Sequence, residues 1–239
     1  MNDIDTEYWQ TIAQSDPYWA VLTADKFKGK ELTPDTETEF YSSGIEYINY
    51  VAQHLRRLSP DFSPRRAIDF GCGVGRLALA MRSIAEEVLG LDISPPMLAI
   101  AQQQAEKRQV GNITFSTTLP DNEYDWINSF IVFQHIHPDR GLEMLQRLIG
   151  SLSTRSAISL HFTIYRDGRV TSVPGNPFGR FDGREFSSFD SRLGFGMQMY
   201  DYDLGQVVFI LHQAGFSEIL MHHTDHGGSH GVVIFGHRQ

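Results

Sequence analysis

Cysteine is almost missing from this chain: Cys72 is the single one in 239 residues. No intramolecular disulfide is available, and that usage suits a reducing compartment. Basic residues are the minority, with 20 Lys and Arg against 29 Asp and Glu and a formal net charge of -9. Duplex-binding proteins generally carry a basic footprint, so nucleic acid is not an expected partner. No uninterrupted apolar run approaches the ~20 residues that cross a bilayer. The opening "MNDIDTEYWQ" is acidic and polar, without the basic start and apolar stretch of a secretory leader. The expectation is a cytoplasmic protein with no membrane segment. Its 41% apolar and 21% charged residues are ordinary for a globular protein that buries a real core.

What is present first is an aromatic, polar amino terminus, residues 1–44, with "DPYWAVL" its most apolar part. A helix is predicted from "TPDTETEF", with Thr33 as cap, Pro34 at the first helical position, and Asp35, Glu37 and Glu39 facing the positive end. Ile45, Ile48, Val51, Leu55 and Leu58 recur every three or four residues and predict one apolar face.

From residue 66 the pattern alternates. "AIDF", "EVLGLDI", "NITFST", "YDWINSFIV" and "SAISLHFTI" read as strands; "GRLALAMRSIA", the segment from Ser94 to Gly111 and "PDRGLEMLQRLIGSL" read as helices. Alternation of this kind predicts crossover units and a parallel sheet whose strands are apolar on both faces. Residues 166–199 break the rhythm with a Gly-, Phe- and Arg-rich stretch of little periodicity, which reads as an irregular lid. "DLGQVVFILHQAGF" is a last helix, capped by Asp203 and ended by Gly215. "EILMHHT" and "GVVIFGH", joined by "DHGGSH", predict a hairpin. Residues 45–165 thus form an α/β core that residues 200–239 complete.

The densest signal is "DFGCGVG", Asp69 to Gly75. Glycines at 71, 73 and 75 give G-x-G-x-G, with Arg76 where a dinucleotide fingerprint would carry its third glycine, and no Gly-Lys-Ser/Thr follows to make a phosphate loop. In a doubly wound sheet the ligand lies beyond the carboxyl end of strand one, where glycines let the backbone approach and the next helix offers free amides. Asp92 closes strand two and can accept hydrogen bonds from both hydroxyls of a ribose. Its plainer role is an amino-terminal charge for the helix at "SPPML".

These residues resemble the class I S-adenosylmethionine-dependent methyltransferases. "AIDFGCGVGRLALAM", "VLGLDISPPMLAIAQ", "LPDNEYDWINSFIVFQHI" and "LHQAGFSEI" with the terminal hairpin fall in the family's order. The resemblance implies a doubly wound, mostly parallel seven-stranded Rossmann-like sheet with an antiparallel carboxy-terminal hairpin and a small cap. It implies S-adenosyl-L-methionine as cofactor, held by Asp69, Gly71, Cys72, Gly73, Gly75, Arg76, Asp92, Ile93 and Met97, with Ser129 and Phe130 after strand four. Thr117 and Thr118 stand where the family commonly has an acid for the adenine edge. Phe40–Gly44, "FYSSG", would close the cofactor pocket by the same analogy. Cys72 reads as a small packing residue rather than a nucleophile.

The implied activity is methyl transfer to an oxygen or nitrogen of a small molecule, such as a natural-product or glycoside intermediate. The alternative is an S-adenosylmethionine-binding regulator or partner subunit that transfers nothing. Amino-methylating DNA enzymes of the family carry N/D-P-P-Y/F after strand four, where this chain has "NSFIV", and the lone cysteine lies in the glycine bend, away from a cytosine mechanism. A hydroxyl acceptor benefits from a general base. Candidates are His135 and His137 after strand four and His161 on strand five, where alternation puts Ser159, His161 and Thr163 on one face with Tyr165 at the end. "HHTDHGGSH" also invites a metal reading. His222 and His223 point to opposite faces, whereas His226 and His230 could converge across the turn; a plain surface hairpin is the expectation, with no metal. Tyr8, Trp9, Tyr18, Trp19 and the Phe-rich insert are expected to enclose the substrate. The sequence leaves the oligomeric state open.

Overall fold

A computed structural model describes residues 3–171, 185–190 and 195–239. The chain opens with α1 (Asp3–Ser15), α2 (Pro17–Val21) and the long α3 (Pro34–Leu58). Thr33 caps α3 by accepting from the Thr36 amide at 3.3 Å, as its sequence predicts. The boundary drawn at residues 44 and 45 falls inside this continuous helix.

The core follows as β1 (Arg66–Phe70), α4 (Arg76–Met81), β2 (Glu87–Leu91), α5 (Pro95–Lys107), β3 (Ile113–Ser116), β4 (Tyr124–Ser129), α6 (Pro138–Gly150) and β5 (Leu152–Arg166). A short α7 (Gly168–Thr171), β6 (Glu185–Asp190), β7 (Phe195–Tyr200), α8 (Leu204–Gln213), β8 (Glu218–His226) and β9 (Ser229–Arg238) complete it. The seven-stranded sheet has the order β3-β2-β1-β4-β5-β9-β8, parallel from β3 through β5, with β9 antiparallel to both neighbours. The chain builds from β1 toward β3, then crosses back to β4. The switch point therefore lies between β1 and β4, where such sheets bind ligands.

Both faces of the sheet are buried, residue by residue. Ile68, Leu89, Ile127, Ile158 and Ile234 enter one core with Leu145 and Leu148 of α6 and Val207 and Leu211 of α8. Their chain neighbours Ala67, Val88, Trp126, Ala157 and Val233 enter the other, with Ile48, Val51 and Leu55 of α3 and Ala78 and Met81 of α4. A third cluster joins Tyr8, Ile12 and Tyr18 to Phe40 and Tyr41 of α3, Val74, and Met97 of α5. The amino-terminal segment is thereby seated on the flank that carries the glycine bend.

Several expectations are corrected. Ile45 does not belong to the apolar face of α3; it is 51% exposed, because it lies about 100° round the helix from buried Gly44. The helix after the glycine bend stops at Met81, where the Ser83 hydroxyl donates back to the Ala80 carbonyl and turns the chain. Gly111 does not end α5. Gln109 takes the left-handed conformation (φ 54°), with the Val110 amide reaching the Ala105 carbonyl at 2.9 Å. Strand four ends at Ser129 rather than Val132, since Ile131 has φ 59°, which no strand continues through. The insert is not wholly irregular: β6 and β7 form an antiparallel ladder from Glu185↔Tyr200 to Asp190↔Phe195. The alternation of Phe195, Met197 and Met199 carried that signal. The rest of "VPGNPFGRFDGREF" lies outside the described residues up to Glu185.

Candidate functional site

At the end of β1 the backbone turns three times through the left-handed region, at Gly71 (φ 73°), Gly73 (φ 52°) and Gly75 (φ 82°). Side-chain-bearing residues are strained there. The bend is tied to β2, whose Leu91 carbonyl accepts from the Gly71 amide at 2.7 Å and from the Cys72 amide at 3.1 Å. Asp92 locks the same junction. Its Oδ2 accepts from the Gly73 amide at 2.8 Å and its Oδ1 from the Ser94 amide at 2.9 Å. Burial raises the Asp92 carboxyl above its ordinary value, opposed by those amides and by that of Ile93. A carboxylate has about four lone-pair sites, so both oxygens can still accept from a ligand, and Asp92 is not fully enclosed.

Asp69 lies one layer deeper. The Asn128 amide donates to its Oδ1 at 2.9 Å, the Ser159 hydroxyl donates to Asn128 at 2.8 Å, and the Trp126 indole donates to Ser159 at 3.0 Å. This buried ladder crosses β1, β4 and β5. Burial pushes the Asp69 carboxyl up to about 7, with Asn128 and Arg76 opposing.

Helix α3 presses on the bend from above. The Tyr41 hydroxyl donates to the Val74 carbonyl at 3.1 Å, and the Arg76 guanidinium donates to Ser43 Oγ at 3.2 Å. A Cβ on Gly44 would lie 2.4 Å from the Arg76 carbonyl oxygen, so only glycine admits the helix this closely. "FYSSG" therefore does border the bend. One turn later Tyr47, absent from the sequence-derived site, stacks obliquely on Phe130 with ring centroids 4.2 Å apart. Its one available signal was its helical spacing from Ser43 and Gly44.

Among the described residues, Asp69 Oδ2, Arg76 Nε, Tyr47 Oη and Ser129 Oγ are buried polar atoms without a hydrogen-bond partner. Orphaned groups of this kind are costly unless a ligand completes them. A carboxylate, a guanidinium and two hydroxyls around a left-handed bend fit a zwitterionic amino-acid head, and Asp92 fits a ribose diol. Met97 is buried beneath the amino-terminal segment, Ile93 is partly exposed, and Thr117 and Thr118 sit on an exposed turn held by Ser116. Cys72 is buried and its thiol is pushed well above the ordinary value by burial, a packing environment.

The three histidine candidates separate. His135 sits on a short turn (Phe133–His135), its Nδ1 facing the Gln198 carbonyl of β7 at 3.4 Å and its Nε2 facing the Gln134 amide at 3.1 Å. Trp9 of α1 packs edge-on against it at 5.0 Å, and burial lowers the imidazole to about 4. It pins three segments together. His137 is exposed, 3.7 Å from Asp139. His161 is 1% exposed on β5, one step past the level of Ser129, with Nε2 2.9 Å from Thr224 Oγ1 of β8. Burial first, then the His226 charge, lowers its imidazole to about 3. On the same face Thr163 donates to Gln134 at 2.7 Å. Tyr165 is exposed and stacked on His230 at 4.5 Å.

His226 and His230 do not converge. The strand alternation sends His226 toward Phe130 and His161, with ring centroids at 5.9 and 5.3 Å. His230 goes to the opposite face, 3.1 Å from His223 and 2.8 Å from Asp167 Oδ2. His222 instead meets the Tyr50 hydroxyl at 2.8 Å. Among the described residues no three His, Cys, Asp or Glu side chains gather as metal ligands. Of the amino-terminal aromatics, Trp9 packs on His135, and the Tyr18 hydroxyl is bound by Gln104 at 3.1 Å on α5.

A family model described as a methyltransferase domain matches residues 68–151, which hold the glycine bend, Asp92 and β4. Over that segment the chain is similar to the class I S-adenosylmethionine-dependent methyltransferases. The family's cofactor is the molecule whose amino-acid head and ribose the orphaned groups and Asp92 fit. A 79-residue segment is 38% identical to the ribosomal protein L11 methyltransferase of Vibrio campbellii, covering 33% of this chain and 26% of that protein. A 124-residue segment is 29% identical to the trans-aconitate 2-methyltransferase of Mycobacterium sp. (strain KMS), covering 51% of this chain and 42% of that one. The match therefore spans less than half of either relative. Among solved structures, magnesium protoporphyrin IX methyltransferase from Synechocystis, with bound S-adenosylhomocysteine, superposes over the whole of both chains with a TM-score of 0.69 at 20% identity. At that identity the likeness establishes the fold.

Proposed function

We propose that this protein transfers the methyl group of S-adenosylmethionine to an oxygen or nitrogen of a small molecule by in-line displacement. The observation that carries the reading is the set of orphaned polar atoms on Asp69, Arg76, Tyr47 and Ser129 beside the Gly71–Gly75 bend and the Asp92 carboxylate. When bound, the cofactor supplies a methyl group already activated on a sulfonium, so the protein's work is positioning and exclusion of water. Asp92 accepts the ribose hydroxyls. Asp69 Oδ2 takes the ammonium of the methionine head, and Arg76 and Tyr47 its carboxylate. The backbone of Gly71, Cys72, Gly73 and Gly75 follows the ligand. Ile93, Met97, Thr117 and Thr118 border the adenosine, and Ser129 and Phe130 border the methionine end.

A small acceptor is favoured by enclosure. Helix α1 and strand β7 both meet at the Phe133–His135 turn that follows β4, and with these segments packed there the site would be enclosed. The trans-aconitate relative acts, by its name, on a small acid. The ribosomal relative names a protein acceptor, which a roofed site accommodates poorly.

Incubation with a labelled methyl donor and extracted metabolites tests the reading. Label in a metabolite is the expected result. Tight cofactor binding with no transfer to any metabolite would instead support a binding protein that performs no chemistry.

A further inference from the structure

Beyond Phe130 the structure holds a second orphaned group. His161 Nδ1 is buried and has no hydrogen-bond partner among the described residues, while Nε2 on the other side of the ring is held by Thr224 Oγ1 at 2.9 Å. The ring cannot retreat, because Gly231 lies against it: a Cβ there would be 2.7 Å from Nε2. Phe130 and His226 stand 5.2 and 5.3 Å from the imidazole. Phe130 follows Ser129 directly and touches Tyr47, so one row of rings runs from the cofactor bend to His161.

The tautomer follows from the same geometry. A buried N–H without an acceptor is rarer and costlier than a buried lone pair without a donor. The proton therefore sits on Nε2, donated to Thr224, and the Nδ1 lone pair is the open site. An imidazole with one nitrogen held by an orienting hydroxyl and the other unpartnered has the arrangement of a general base; burial keeps it neutral before reaction, and it can hold a proton there only as the neighbouring sulfonium charge is lost.

We propose that the methyl acceptor is a hydroxyl compound and that His161 Nδ1 takes the hydroxyl proton, with Thr224 as the positioning residue. The proposal rests on the methyltransferase reading. The acceptor oxygen takes the methyl group as the sulfur–carbon bond breaks and its electron pair stays on sulfur. The hydroxyl proton passes to Nδ1. One sulfonium charge disappears as one imidazolium charge forms, so the enclosed site keeps its net charge. His226, itself exposed, packs edge-on against the buried ring at 5.3 Å.

Nitrogen NMR of the full chain with labelled histidine tests this. The probes are S-adenosylhomocysteine and sinefungin, an analogue with an amine where the transferable methyl group sits. The expected result is an unprotonated Nδ1 and a protonated Nε2 on His161, with the Nδ1 resonance differing between the two complexes. T224V is expected to abolish the tautomer preference. Identical Nδ1 resonances in both complexes, or a protonated Nδ1, would overturn the proposal. With labelled donor and metabolite extract, H161Q should lower transfer by about 10²–10⁴-fold and leave S-adenosylhomocysteine binding unchanged; full transfer by H161Q also overturns it. In calorimetry, failure of both probes to bind would defeat the cofactor reading itself, whereas binding of both with H161Q fully active would defeat only the role of His161.

Discussion

Asp92 follows the last residue of β2 and His161 lies on β5 just past the level where β4 ends, yet they are held in different ways. Asp92 is fixed by two backbone amides, those of Gly73 and Ser94, 19 and 2 residues away. His161 is fixed by a side chain 63 residues away, on a strand that exists only once the terminal hairpin has folded back. The β1–β4 end of the site is thus made of local backbone geometry, and the β5–β8 end of side chains gathered from distant segments.

The largest expected effect falls on the bend itself. G71A places a Cβ 2.3 Å from Val132 in a conformation with φ 73°. The left-handed strain and the overpacking together should cost about 2–4 kcal/mol and remove cofactor binding, read by denaturant unfolding and calorimetry. Wild-type stability would show that the bend is not strained.

The two ends should next respond to pH with opposite signs. Asp69 has its carboxyl raised from 3.8 to about 7. The folded state then holds the proton that the unfolded chain has released, so this group's stabilisation is lost as pH rises from 3.8 through about 7. His135 and His161 are lowered from 6.5 to about 4 and about 3. They stay neutral in the fold, so their contribution is lost as pH falls from 6.5 toward those values. Melting profiles should show D69N flattening the alkaline side, and H161Q the acid side. The same side flattened by both variants would erase the distinction.

D92A should weaken S-adenosylhomocysteine binding by roughly 1–3 kcal/mol, the scale of lost charge-assisted hydrogen bonds. Unchanged affinity would remove Asp92 from the site. The smallest effect belongs to the roof. W9L deletes the edge contact with His135 and should loosen α1 by about 0.5–1.5 kcal/mol, visible as faster hydrogen exchange over residues 3–15 with little change in β1.

This contrast also explains what the sequence made legible. G-x-G-x-G, Asp92 and the alternating elements are short-range patterns, and the sheet, both its cores and the terminal hairpin were readable from them. Tyr47, Thr224 and Gln134 were not. Each looks like an ordinary helix, strand or turn residue until pairing brings β8 beside β9 and α3 over Phe130. The sequence allowed His226 and His230 to converge while favouring a plain hairpin, and Gly227 and Gly228 form a tight reversal that keeps them on opposite faces.

The central claim is that the bend and Asp92 hold an adenosyl amino acid rather than a dinucleotide. Calorimetry of the full chain against S-adenosylhomocysteine and against NAD tests it most directly. Saturable, single-site binding of S-adenosylhomocysteine with no response to NAD is the predicted result; saturable binding of NAD alone would contradict it.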